Sequence, residues 1–78
     1  MAEELCCKAR YDYDYDTTLG WLLIYYGLAE PGTAASAAGW RIRKYTYDAN
    51  GNVTQIDWAD GIHTFTKVWD NRYGYSYS

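Results

Sequence analysis

The turn Asp48-Ala49-Asn50-Gly51 constrains the fold more than any other feature, because runs of aromatic and β-branched residues flank it on both sides. Asp at its start and Gly at its end are typical of a three-residue hairpin loop, in which the Gly adopts a left-handed conformation and forms a G1 bulge. We therefore predict a β-hairpin over residues 40–58, with Asp48, Asn50 and Gly51 as its structural turn.

This turn also predicts how the two strands of the hairpin pair. Regular pairing beyond the loop puts Tyr47 opposite Val53, and it puts Arg43 opposite Asp57 as an ion pair. The same register brings four apolar side chains to the other face: Trp40, Ile42, Ile56 and Trp58. A shift of one residue would separate the two tryptophans, so the apolar pattern favours this register.

Three further segments read as strands. Tyr and Asp alternate over residues 11–16, which on a strand places the rings on one face and the carboxylates on the other. Residues 21–28 are apolar at nearly every position, as in a strand that is covered on both faces. Tyr again alternates with small residues over 73–77, so we expect a terminal strand that pairs with the first strand or with a neighbouring molecule.

These segments predict an all-β fold, a small antiparallel β-sandwich or partly open barrel of about five strands. The chain has 78 residues, which is room for one domain, 1–78. Residues 1–9 are expected to form a short N-terminal arm or a helical turn, and the small residues of 29–39 to form a loop. Cys6 and Cys7 are adjacent, and since adjacent cysteines bridge only through a strained ring, we expect two reduced thiols.

The residues that could carry chemistry do not form a recognisable site. His63 is the only histidine, and the Asp12-Asp14-Asp16 spacing lacks the Gly and the Glu that complete a calcium loop. No glycine-rich phosphate-binding motif is present. We therefore expect a protein that is not an enzyme, with no catalytic residues, no metal site and no cofactor.

Charge and hydropathy restrict the partners. The formal net charge is -3, and binding of nucleic acid needs a positive field, so we expect no nucleic acid as partner. No apolar run reaches the roughly 18 residues that span a membrane, so we expect no membrane partner either. The start of the chain, Met1-Ala2-Glu3-Glu4, is acidic where a signal peptide would be basic.

The aromatic content indicates an interface. Ten Tyr and four Trp are more than a core of this size can bury, and both residue types are enriched where proteins meet. The candidate interface residues are Tyr11, Tyr13, Tyr15, Tyr25, Tyr26, Tyr73, Tyr75 and Tyr77. Because rings stack on sugars and carboxylates bind their hydroxyls, a carbohydrate-binding adhesion module is an alternative.

Two segments of the sequence resemble known protein families. Residues 45–53, followed by Asp60-Gly61, resemble one tyrosine–aspartate repeat of the RHS type, which builds β-shells in toxins and teneurins. A longer stretch is similar to small proteins of tailed bacteriophages, many of them assigned to the virion. That similarity runs through Tyr25 to Thr33, Trp40 to Lys44, Tyr47 to Val53, Trp58 to Gly61 and Val68 to Arg72.

The phage resemblance implies a non-enzymatic structural subunit located in the virion. A capsid decoration (cement) protein that binds a larger shell, or that self-oligomerises, is the first expectation. A tail or head–tail accessory ring protein is the alternative. The implied partners are other virion proteins, further copies of this chain, or both.

Overall fold

Four strands follow one another as an antiparallel meander in the computed structural model, which describes residues 7–78. They are β1 (Lys8–Asp16), β2 (Gly20–Ala29), β3 (Ala38–Tyr47) and β4 (Val53–Trp58), and they lie in that order in the sheet. A short β5 (Lys67–Val68) pairs with the start of β3, and a 3₁₀ helix (Trp69–Gly74) follows it. The predicted all-β antiparallel fold of five strands is confirmed, and the sheet is open, not closed into a barrel.

The predicted turn of the β3–β4 hairpin is confirmed. Gly51 has a φ of 86°, and its N–H donates to the carbonyl oxygen of Asp48 at 3.1 Å. The Asp48 carboxylate accepts hydrogen bonds from the backbone N–H groups of Asn50 and Asn52, at 2.9 and 3.0 Å. The aspartate therefore satisfies the loop donors that no strand can reach.

The predicted register beyond this turn is wrong, because a bulge follows it. Tyr47 pairs with Val53 as expected, but Thr46 pairs with Gln55, so β4 holds one extra residue. Every later pair is shifted by one, and Arg43 lies opposite Trp58. The bulge turns Ile56 and Trp58 away from the face of Trp40 and Ile42, and the expected Arg43–Asp57 pair does not form.

The β1–β2 hairpin matches the strands predicted from the sequence, with a second bulge between Asp12 and Tyr13. Lys8 and Ala9 belong to β1, whereas the rest of the predicted N-terminal arm, residues 1–6, lies outside the described part of the chain. Cys7 is disulfide-bonded, so the expectation of a reduced thiol is wrong for this residue. Its neighbour Cys6 is outside the described residues.

The core lies between one face of the sheet and the chain that follows β4. We call residues 59–78 the C-terminal segment and the sheet face beneath it the covered face. The buried cluster consists of Ala29, Trp40, Ile42, Ala59 and Trp69. Trp69 packs directly on the backbone of Gly27, where a Cβ would lie 2.4 Å from Cε3 of the indole. The Trp40 indole N–H donates to the Ala34 carbonyl oxygen at 2.9 Å, so this buried polar group is satisfied.

The C-terminal segment is not the terminal strand that the Tyr alternation predicts. Its 3₁₀ helix ends at Gly74, and Tyr77 makes one isolated antiparallel bridge to Ala59. The segment reaches β1 through side chains, because Arg72 Nε donates to Asp12 Oδ2 at 2.8 Å. The two ends of the fold therefore meet through an ion pair and not through strand pairing.

Candidate interaction surface

The face of the sheet opposite the covered face is exposed along β1 and part of β4, whereas Tyr26 and Leu28 at its centre are buried. Strand alternation and the observed pairing place one aromatic-rich set of side chains there, which we call the aromatic face. It consists of Tyr11, Tyr13, Tyr15, Trp21, Leu23, Tyr26, Arg41, Arg43, Tyr45, Tyr47, Val53, Ile56 and Trp58.

The most exposed part of the aromatic face lies at β1 and the start of β2. Trp21 is 69% exposed and Tyr15 57%, and the centroids of their rings are 5.1 Å apart in an edge-on contact. Tyr11 makes a similar contact with the buried Tyr26, at 5.2 Å. Such pairs hold the rings in defined positions before any partner arrives.

Two arginines lie within this surface. The guanidinium carbon of Arg43 is 4.6 Å from the centroid of the Tyr26 ring and 5.7 Å from that of Trp58. Arg41 stands 4.9 Å over the same Trp58 ring. Cation–π attraction therefore holds both guanidinium groups against rings, and positive charge is fixed inside an apolar surface.

A tyrosine hydroxyl braces the β1–β2 hairpin against β3. Tyr47 donates to the carbonyl oxygen of Leu23 at 2.7 Å, next to the bulge. Burial raises the pKa of Tyr47 above its ordinary value, and the nearby Tyr45 and Tyr13 add to this rise. The neutral hydroxyl therefore stays available as a donor.

Charge is separated between the two faces. The positions that make up the aromatic face include no Asp, Glu or Lys. Asp12 and Asp14 alternate with the tyrosines of β1, so their side chains lie on the opposite side of the sheet. Asp57 lies on that side too, opposite Lys44 in the β3–β4 register. Enrichment in aromatic residues and Arg, with depletion of Lys, Glu and Asp, is what distinguishes the cores of protein interfaces from other surfaces.

The predicted interface tyrosines occupy different places. Tyr11, Tyr13 and Tyr15 are exposed on the aromatic face, and Tyr26 lies beneath Tyr11 and Arg43. The remaining members are on the other side of the sheet. There Tyr25, Tyr75 and Tyr77 pack against the core, and Tyr73 is 67% exposed with its hydroxyl on Asp12.

Sequence reasoning missed Trp21, Arg43 and Ile56 as members of this surface. Trp21 could have been found, since it lies across the β1–β2 turn from Tyr15. Arg43 could also have been found, because it alternates with Tyr45 and Tyr47 on β3. Ile56 could not, because only the bulge in β4 brings it to this face.

The other candidate sites are poorer. His63 is exposed and its ring makes an edge-on contact with Trp58, with centroids 6.3 Å apart. Within residues 7–78 no group of three or more His, Cys, Asp or Glu is placed to hold a metal ion. A groove of about 880 Å³ lies beside Pro31 and Phe65, and half of the described residues that line it are Gly or Ala, which offer no side-chain donors or acceptors.

No family model, curated protein sequence or solved structure matches this chain. None of the helical segments in the described part has the length and hydrophobicity needed to cross a membrane.

Proposed function

We propose that this chain is a non-enzymatic assembly protein that docks on a larger protein through its aromatic face. The observation that carries the proposal is a partly exposed sheet face of pre-stacked rings and arginines that holds no carboxylate among the strand positions described. Trp, Tyr and Arg are the residues that dominate binding energy in protein interfaces.

We further propose that the larger structure is a bacteriophage particle, so that the protein is located in the virion. The resemblance of residues 25–72 to small proteins of tailed phages supports this context. A capsid decoration protein fits best, because a small sheet with one covered and one open face suits a piece that lies flat on a shell. A tail or head–tail accessory ring protein is the alternative.

A carbohydrate-binding adhesion module is the second candidate function, and one observation favours it. A pocket of about 450 Å³ on the covered side combines the carboxylates of Asp12 and Asp14 with the rings of Tyr25 and Tyr73. Stacking and hydrogen bonding to hydroxyls are both available there. Lys44 also lines this pocket and fills part of its polar capacity, so we place this function second.

The test combines particle composition with surface variants. Mass spectrometry of purified particles is expected to find many copies of the chain per particle. A variant with Tyr13→Ser and Tyr15→Ser should fold normally and lose particle binding, because both rings are exposed. Ile62→Ser is the matched control, since Ile62 is exposed outside the aromatic face.

Two results would contradict the proposal. Absence of the chain from particles would remove the virion assignment. Full particle binding by the double variant would remove the aromatic face from the docking role. Binding of the isolated chain to a glycan array, lost on Tyr73→Ser but kept in the double variant, would favour the adhesion module.

A further inference from the structure

We infer that Arg43 is an anion-binding anchor of the aromatic face, and that the docking partner is a protein surface that presents a carboxylate side chain among apolar residues. The inference rests on the proposed function, because it specifies the chemistry of the partner at the same surface.

The first observation is that the Nε–H of Arg43 has no hydrogen-bond acceptor among residues 7–78. A guanidinium group carries five N–H donors, and no residue that the structure describes accepts from Nε of Arg43, which is buried. Arg72 shows the usual arrangement, with a carboxylate oxygen of Asp12 at 2.8 Å from its Nε. Arg43 is therefore held against rings, with the hydrogen-bonding capacity of its Nε unused by the described residues.

The second observation is that the guanidinium group is already positioned. The Tyr26 ring lies beneath it at 4.6 Å, and Trp58 and Tyr45 are 5.7 and 5.8 Å away. Nη1 and Nη2 are not among the buried nitrogens that lack a partner, so we infer that these terminal nitrogens are the ones that receive the carboxylate. A planar fork fixed by stacking loses little entropy when it binds a carboxylate, and the bond strengthens as docking removes water.

Charge complementarity indicates which kind of partner binds the aromatic face at Arg43. The aromatic face of a second copy does not supply a carboxylate from residues 7–78, because none of the strand positions that form it is Asp or Glu. A nucleic acid would bring many phosphates toward a chain of net charge -3, in which Asp14 and Asp16 are exposed on β1. An apolar protein surface with a carboxylate matches both the rings and the arginine.

The experiment uses the folded chain and two amidated, acetylated pentapeptides that differ only in charge, WDYDW and WKYKW. NMR titration should show the acidic peptide binding at least tenfold more tightly, with shifts at the Arg43 Nε–H and the Trp58 indole N–H. Arg43→Gln should abolish this preference. Arg10→Gln makes the same change in charge at an exposed position of β1 on the opposite side, and it should retain the preference.

A second variant, Arg43→Lys, tests the inference if Arg43→Gln does not fold. Arg43→Lys keeps the positive charge over Tyr26 but lacks the planar fork, so it should fold and lose most of the preference for the acidic peptide.

Three outcomes would overturn the inference. Equal binding of the two peptides, unchanged in Arg43→Gln, would mean that docking is apolar and that Arg43 only packs, and the proposed docking role would stand. Tighter binding of a glucuronic acid oligosaccharide than of the acidic peptide would make the occupant a sugar. Binding of neither peptide at millimolar concentration would exclude a peptide carboxylate, whereas the virion assignment depends separately on particle composition.

Discussion

Gly27 is the residue at which the smallest side chain is most strictly required by packing. An added Cβ would lie 2.4 Å from the Trp69 ring and 3.1 Å from the Trp40 ring, so an indole would have to move. We expect Gly27→Ala to lower the free energy of unfolding by about 1–3 kcal/mol. Gly74→Ala is the control, because no atom lies within 4 Å of its added Cβ. Equal denaturation midpoints for the two variants would contradict this account.

Gly51 is required for a different reason, its backbone conformation. An added Cβ would meet Leu19 at an ordinary 3.6 Å, but the φ of 86° is strained for a β-branched residue. Gly51→Val should cost about 1–2 kcal/mol in thermal or chemical unfolding. Gly51→Asn should cost clearly less, since Asn tolerates this region. A larger loss in the Asn variant would argue against backbone strain as the cause.

At the scale of elements, the attachment of the C-terminal segment to β1 depends on the charge of Asp12. Burial acts to raise the pKa of this carboxyl, but hydrogen bonds from Tyr73 and Arg72 and the charge of Arg72 outweigh it and hold the pKa below its usual value. The folded protein therefore releases this proton more readily than the unfolded chain, whose Asp has a pKa of about 3.9.

The sign of the pH effect follows from that lowered pKa. The stabilisation is fully present above about pH 4 and is lost as pH falls through the lower pKa of the folded state. We expect Asp12→Asn to be less stable than the parent at pH 7, with the difference shrinking in acid. Denaturant titrations of both proteins across this range test it, and a difference that is constant with pH would contradict the role of the ion pair.

The elements also show where sequence reasoning succeeds. The β3–β4 hairpin was predictable because Asp48 and Gly51 act within their own loop, through local hydrogen bonds and a local φ. The bulge in β4 was not, because it lies beyond the loop, where Thr46 pairs with Gln55 and Trp58 comes to lie over Arg43. The residues of the turn alone therefore do not predict the bulge.

The C-terminal segment was mispredicted for a similar reason. Tyr alternating with Gly and Ser fits a strand, but the contact of Trp69 with Gly27 joins distant parts of the sequence. For the same reason, only part of the aromatic face could be predicted from the sequence. Tyr11, Tyr13 and Tyr15 follow from alternation alone, whereas the membership of Ile56 and Trp58 depends on the bulge in β4.

At the scale of the whole molecule, tryptophan fluorescence distinguishes the two faces of the sheet, because the tryptophans differ strongly in exposure. Trp21 is 69% exposed on the aromatic face, whereas Trp40 and Trp69 are buried on the covered face. Acrylamide should therefore quench the fluorescence of the free chain mainly through Trp21, and Trp21→Phe should remove most of that quenching. Quenching that is unchanged in this variant would contradict the assignment of the faces.

The packing of the C-terminal segment on the sheet through Trp69 affects the order in which the elements fold. Both hairpins close short loops, whereas docking of the C-terminal segment joins β2 to residues far along the chain and must offset a larger loop-closure entropy. The hairpins are therefore expected to form in the transition state and the cover to dock after it. Changes at Gly51 should then slow refolding, whereas changes at the contact between Gly27 and Trp69 should mainly accelerate unfolding.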